Sequence, residues 1–268
     1  MAFQRVNGIV LHYILERRGP GPTLVFANSL GTDFRIWDPL LAELGGNFTV
    51  LRYDKRGHGL SEATPPPYAM ETHVDDLKAL IDHLDLRDPL VVGLSIGGMI
   101  AQGLAARHPG LARGLVLMDT AHRIGTDELW NQRIAAIEAD GIAAIADGIL
   151  ARWFTPEYRR PENPDFVGYA NMLLRTLRDG YLGSCAALRD ADYTAQAAGL
   201  DLPVLCIVGD QDGSTPPDLV RSTAALIPGA EFVVVDNAGH LPCIEQPATT
   251  ASLIRRFADT VFAKAPRP

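Results

Sequence analysis

Residues 89–98 read Pro-Leu-Val-Val-Gly-Leu-Ser-Ile-Gly-Gly. An apolar run leads into Gly93-Leu94-Ser95-Ile96-Gly97, and a small-residue helical pattern continues from Ile96 to about His108. G-x-S-x-G between a strand and a helix puts the serine on a sharp turn with its hydroxyl pushed outward. That turn requires a strained backbone at the serine. It also requires glycine on either side, because a Cβ there would crowd the neighbouring strand and helix. Ser95 is therefore the candidate nucleophile. The bare string occurs by chance in many loops, so its weight comes from the strand before it and the helix after it.

A serine hydroxyl is a weak nucleophile without a base. For this strand–turn–helix arrangement the chain order is Ser, then Asp or Glu, then His. Downstream, Pro203 to Gly209 has a buried-strand pattern and ends in Asp210-Gln211-Asp212-Gly213. Glu231 to Val235 is a further strand, ending in Asp236-Asn237-Ala238-Gly239-His240. An acid and a histidine thus each follow the C-terminal end of a strand, the edge at which open α/β sheets build their sites. His240 is the expected general base, and Asp212 the acid that fixes its tautomer and stabilises the imidazolium. Asp212 is preferred to Asp210 because three residues beyond Gly209 let the chain reach over the sheet edge. Asp210 is expected to cap the turn.

A tetrahedral intermediate needs two backbone donors. One is the N–H of Ile96, at a helix N-terminus. The other is expected from the loop after strand 23–27, which reads Asn28-Ser29-Leu30-Gly31-Thr32-Asp33, with the Leu30 N–H as donor. His58, in Arg56-Gly57-His58-Gly59, precedes the nucleophile, so it is read as a loop residue stabilising its turn rather than as the base. His73 and His83, with Asp75, Asp76 and Asp82, are read as a solvated amphipathic helix face.

These residues resemble the α/β-hydrolase superfamily from about Val6 to Phe262. Further markers are Asp54-Lys55-Arg56-Gly57-His58-Gly59-Leu60-Ser61 and Asp119 after strand 114–118. More narrowly the chain resembles 3-oxoadipate enol-lactonases. The residues that carry this are Asn28 to Asp33 with Trp37, Gly93 to Met99, Thr120-Ala121, Trp130 with Arg133, Arg152 to Thr155, and Ala238 to Pro242. The sequence departs from the superfamily at Asn28-Ser29, where His-Gly is common. The hole donor is a backbone group, so the change leaves it available.

The resemblance implies an α/β-hydrolase fold: a mostly parallel eight-stranded sheet with helices on both faces and an inserted helical lid. It also implies a reaction, the hydrolytic opening of 3-oxoadipate enol-lactone to 3-oxoadipate in the β-ketoadipate pathway of aromatic catabolism, with no metal and no organic cofactor. That small-molecule substrate carries a carboxylate, so a pocket cation is expected. A net charge of −8 makes a local arginine more necessary. The stretch after residue 122 offers Arg123, Arg133, Arg152, Arg159, Arg160, Arg175, Arg178 and Arg189. Arg133 is favoured, on the family string and on its helical position among Trp130, Ile134 and Ile137; the alternative is a solvated arginine paired with Glu138 or Asp140. Trp153 is the favoured pocket wall or donor, with a plain core tryptophan as the alternative.

Periodicity sets the organisation. An N-terminal hairpin over 3–6 and 9–15 turns at Asn7-Gly8. Strands at 23–27, 48–53, 90–94 and 114–118 alternate with helices near 38–44, 71–84 and 96–108, the signature of a parallel sheet. From Arg123 to about Ala198 the strand pattern vanishes. About four helices are expected there, broken at Gly141, Pro156, Pro161, Pro164 and Gly180. Strands 204–208 and 231–235 with helices near 217–226 and 247–262 close the sheet. The expected domains are a core over 1–122 and 199–268 and a lid over 123–198.

Composition is that of an ordinary globular chain, 47% hydrophobic and 21% charged over 268 residues. An isoelectric point near 5.3 argues against nucleic acid and anionic membrane partners. No apolar run reaches the roughly 18 residues of a membrane span. Three cysteines, Cys185, Cys206 and Cys243, form no framework; with no leader pattern at the start, the expectation is a cytoplasmic protein, compatible with a homo-oligomer. Other readings stay open. The same scaffold serves carboxylesterases, C–C bond hydrolases and perhydrolases, and a binding protein can keep the triad. A haloalkane dehalogenase is disfavoured, because those carry aspartate where this chain has Ser95.

Overall fold

Strands β1 (Ala2–Val6) and β2 (Ile9–Arg17) form the hairpin that opens the computed structural model, which describes residues 1–263. Asn7 and Gly8 lie at φ 44° and 79°, the two positive values that a tight two-residue hairpin turn demands. The chain then alternates through β3 (Thr23–Ala27), α1 (Asp38–Leu44), β4 (Thr49–Tyr53), α2 (Met70–His83), β5 (Leu90–Leu94), α3 (Ile96–Arg107) and β6 (Gly114–Met118). After a helical excursion it returns as β7 (Val204–Gly209), α9 (Pro217–Leu226), β8 (Glu231–Val235), the short α10 (Pro242–Glu245) and α11 (Pro247–Ala263). The expected core segment extends to residue 268; its last five residues lie outside those described.

The eight strands form one sheet in the order β1-β2-β4-β3-β5-β6-β7-β8. Only β1–β2 and β2–β4 pair antiparallel; every pair from β4–β3 to β7–β8 is parallel. The centre is buried on both faces. All residues of β5 and β6 are buried, as their unbroken apolar runs require, whereas β1 and β8 at the edges are partly exposed. Helix α1 packs on α11, and α2 packs on α3. Helix α3 is buried along nearly its whole length, and its glycines and alanines let it press against β3, β5 and β6. Among the described residues, no helix is long and apolar enough to cross a membrane.

Between β6 and β7 stand α4 (Asp127–Asp140), α5 (Ala143–Trp153), α6 (Pro164–Leu174), α7 (Arg178–Asp190) and the five-residue α8 (Thr194–Ala198). There are five helices where about four were expected. Thr126 caps α4 by accepting from the Leu129 N–H, and Gly141 ends it at φ 78°. Pro164 starts α6 behind the Asn163 cap. Gly180, however, breaks nothing. It sits in the first turn of α7, where an added Cβ would lie 2.0 Å from the Gly57 carbonyl oxygen. Its smallness serves a close approach between this helix and the loop after β4.

The solvated-face reading of α2 holds for His83 and fails for His73 and Asp76, which are buried. Asp76 receives the Arg56 guanidinium at 2.7 and 2.9 Å and the Asn7 amide at 2.8 Å. His73 lies near the Ser184 hydroxyl and edge-on to Tyr68. These partners come from distant segments, so the helix pattern alone does not reveal them.

Candidate active site

Ser95 occupies the turn between β5 and α3 at φ 59°, ψ −122°, a strained conformation for a residue with a side chain. The surroundings over-determine it. The Ser95 N–H donates to the Met118 carbonyl at 2.9 Å, and the Ser95 carbonyl accepts from the Gly98 and Met99 N–H groups and from the Thr120 hydroxyl at 2.6 Å. A Cβ on Gly93 would lie 2.2 Å from the Gly97 carbonyl oxygen, and one on Gly97 would lie 2.1 Å from that of Ala27. The glycines thus answer to backbone on both sides of the turn. Ile96 is the first residue of α3, so its N–H has no acceptor within the helix.

Asp212 and His240 follow β7 and β8 and meet over the sheet edge. The His240 Nδ1 lies 2.9 Å from Asp212 Oδ2, with both side chains buried. Asp212 is richly supplied: the Ser214 N–H at 2.7 Å and the Thr215 N–H at 3.1 Å donate to Oδ1, and the Thr215 hydroxyl donates to Oδ2 at 2.6 Å. Burial pushes this carboxyl up, but His240 and these donors outweigh burial and hold it below the usual carboxylate range. Asp210 does not face His240. Its Oδ1 accepts from the Ala238 N–H at 3.1 Å, so it ties the two loops together instead of capping its own turn.

The loop after β3 is fixed by partners that span the chain. Trp37 Nε1 donates to Asn28 Oδ1 at 3.0 Å, which gives Asn28 its role in place of a histidine. The Lys55 ammonium donates to the Ser29 carbonyl at 2.5 Å, and the Gly31 N–H donates to His58 Nε2 at 3.0 Å. His58 Nδ1 lies 3.1 Å from the Arg56 carbonyl, so the ring is a neutral brace that donates at one nitrogen and accepts at the other. Burial, with help from Lys55, holds His58 well below the ordinary histidine range. Burial also lowers Lys55 to about 7, against the opposing pull of Asp54 and Asp33. His58 therefore stabilises its own turn through the Arg56 carbonyl, as expected, and in addition braces the loop carrying Leu30, which was not expected.

Ser29, Leu30, Ser95, Trp130, Arg133, Arg152, Trp153, Tyr181 and His240 line one small cavity of about 60 Å³. Arg133 lies over the Trp130 ring at 4.8 Å and makes no ion pair among the described residues, with Glu138, Asp140 or any other acid. Trp153 is buried, and its backbone carbonyl accepts from the His240 N–H at 2.8 Å. Next to it, the Gly213 N–H donates to the Arg152 carbonyl at 3.2 Å. Glu245 completes the junction by accepting from the Thr155 N–H and hydroxyl and from the Gly239 N–H. None of these ties between α5 and the β7 and β8 loops is visible in the sequence. The glycine before His240 is the one local hint, since a Cβ on Gly239 would lie 2.4 Å from the Trp153 carbonyl oxygen. A wider surface groove of about 900 Å³ near Tyr158 and Glu245 contains neither Ser95 nor His240.

Donor atoms of Asp119, Asp212 and His240 lie within 4.8 Å of one another. His240 Nδ1 and both Asp212 oxygens are already engaged in internal hydrogen bonds, so the cluster is an acid–acid–base group rather than a set of free ligands.

This fold, with a serine on a strained elbow and a histidine braced by a buried acid in the same cleft, defines a class. The chain belongs to the alpha/beta hydrolase family, whose model matches residues 24–253, and it is a hydrolase of the ester- and lactone-cleaving kind. It is similar to 3-oxoadipate enol-lactonase 2 of Acinetobacter baylyi, 32% identical over 240 residues that make up 89% of each chain. The crystal structure of the enol-lactonase from Burkholderia xenovorans matches with a TM-score of 0.92 at 38% identity, covering 96% of this chain and 99% of that one. A thermophilic esterase from Thermogutta terrifontis, solved with malate bound, matches with a TM-score of 0.91 at 27% identity, covering 97% and 99%.

Proposed function

We propose that the protein opens the ring ester of a small carboxylated lactone, 3-oxoadipate enol-lactone, to give 3-oxoadipate in the β-ketoadipate pathway. Ser95 Oγ attacks the lactone carbonyl while His240 accepts its proton, and Asp212 holds the imidazole and stabilises the resulting cation. The tetrahedral oxyanion rests on the Leu30 and Ile96 N–H groups. Collapse breaks the ring C–O bond. His240 returns the proton to the enolate oxygen, which stays tethered in the acyl-enzyme and ketonises. Water, deprotonated by His240, then attacks the acyl carbon, and His240 returns that proton to Ser95 Oγ as the acyl bond breaks. Residues 123–198 act as the lid, with Trp153 as a pocket wall and Arg133 as the clamp for the substrate carboxylate.

The observation that supports this reading best is the shared cavity. It is lined by Ser95, His240 and an arginine that has no acidic partner among the described residues. The likeness to two enol-lactonases supports the choice of ring ester. The test is ultraviolet-monitored hydrolysis of freshly generated enol-lactone beside a neutral p-nitrophenyl ester. Lactone turnover well above ester turnover, absent in Ser95→Ala, is the expected result. The likeness to an esterase supports a second reading. Ester cleavage without lactone turnover would establish it, and inactivity toward both by folded protein would overturn both readings.

A further inference from the structure

Asp119, at the C-terminal end of β6, takes no part in the mechanism above, yet it is completely buried beside Asp212 and His240. Its backbone is at φ 45°, a second strained position at the same sheet edge. Its two oxygens are treated unequally. Oδ1 accepts from the Gly209 N–H at 2.9 Å, while Oδ2 is buried with no partner as an acceptor. Asp212, by contrast, is met by donors from Ser214, Thr215 and His240 on both oxygens. Two carboxylates this close in a buried site do not both ionise. The proton belongs on the carboxyl with fewer donors, where an O–H turns an orphaned acceptor into a donor.

We infer that Asp119 and Asp212 form a proton-sharing pair, with Asp119 the protonated member and its O–H directed to Asp212. Asp119 is then a positioning residue: it keeps the cluster at a single negative charge and holds Asp212 against His240. Burial first, and then the Asp212 charge, push the Asp119 carboxyl well above its ordinary value. The groups facing it are Asp212 from the β7 loop and His240, Cys243 and Glu245 from the segment after β8. The Cys243 thiol is itself pushed up by burial and is uncharged. Glu245 is engaged by Thr155 and Gly239. Among the described residues, these facing groups include no lysine or arginine.

The inference is tested by the pH profile of kcat/KM for any substrate the enzyme turns over, so it stands or falls separately from the lactone assignment. Asp119→Asn replaces a neutral donor by a neutral donor, so the acid limb of the profile should stay within about 0.3 pH unit of wild type. If Asp119 were ionised, its removal would take a negative charge from within 4.8 Å of His240 and move that limb down by roughly a unit or more. That outcome overturns the pair. In Asp212→Asn the repelling charge is gone, and Asp119 should lose its proton to solvent and partly support His240. Adding Asp119→Asn should then cost a further tenfold or more, and equal activity of the single and double variants counts against the inference. Carbon-13 NMR of aspartate-labelled protein asks the same question without relying on Asp119 variants. One buried carboxyl should be protonated at neutral pH and ionise in Asp212→Asn; its absence from the wild-type spectrum overturns the inference.

Discussion

Among the described residues, two buried histidine–aspartate pairs have nearly identical geometry. His240 lies 2.9 Å from Asp212, and His12 in β2 lies 2.8 Å from Asp54 after β4. In both the histidine uses Nδ1, and the carboxylate also accepts backbone N–H groups, from Ser214 and Thr215 in one case and from Phe34 and Leu60 in the other. What differs is the environment of the imidazole beyond the pair. His240 lines the cavity that holds Ser95. The His12 ring stacks on Phe3 and lies against Phe34, and its Nε2 is buried without a partner. A short His–Asp contact therefore does not mark a base. The member proposed as the base is the one that shares a cavity with Ser95, and the other pair fastens β2 to the loop after β4.

The largest expected effect falls on the cavity side. Ser95→Ala should lower kcat by at least about 10⁴-fold with an unchanged thermal midpoint; turnover near wild type would remove the distinction between the pairs. The matched substitutions Asp212→Asn and Asp54→Asn sharpen it. The first should cost about 10³–10⁴-fold in kcat, on top of whatever stability its four hydrogen bonds supply. The second should leave kcat within about tenfold and cost roughly 2–3 kcal/mol of stability in urea titration, because three hydrogen bonds, two of them buried, lose their charged acceptor. Reversed outcomes would exchange the roles of the pairs.

A smaller effect is expected at Arg133. Arg133→Ala should raise KM about tenfold for a carboxylated lactone and leave a neutral ester unaffected. Equal losses on both substrates would make Arg133 a structural partner of Trp130. The last test falls on the quiet side, where Lys55 sits buried next to Asp54. Its folded pKa of about 7 lies below its ordinary 10.5, so between these values the unfolded chain binds a proton that the folded chain does not. Stability should therefore rise with pH across that window, by up to about 1.4 kcal/mol per pH unit, relative to Lys55→Met. Parallel stability curves for the two proteins would show that Lys55 keeps its charge.

The sequence is most informative where one physical demand acts locally. The fully buried strands β5 and β6 are unbroken apolar runs, and the structure places both at the positions expected from them. Ser95, Asp212 and His240 can be picked out because each follows a strand, in a fixed chain order, at one sheet edge. The sequence is silent where the demand is non-local. Gly180 is chemically indistinguishable from a helix breaker until Gly57 is brought against it. Lys55 and His58 look like surface loop residues, although both are buried props of the Leu30 loop, reached across 26 and 27 positions of chain. His73 and Asp76 likewise become core residues only through Ser184, Arg56 and Asn7.

The junction between α5 and the base loop has an evolutionary consequence. The contacts Trp153 carbonyl to His240 N–H and Arg152 carbonyl to Gly213 N–H are made by main-chain atoms alone. The carbonyl is common to every residue, so a substitution at 152 or 153 that leaves the helix intact can keep them. The side chains there line the cavity, and they can change while these main-chain contacts keep the His240 loop in place. With the site as proposed, this junction is a natural seam for grafting one relative's cap onto another's sheet.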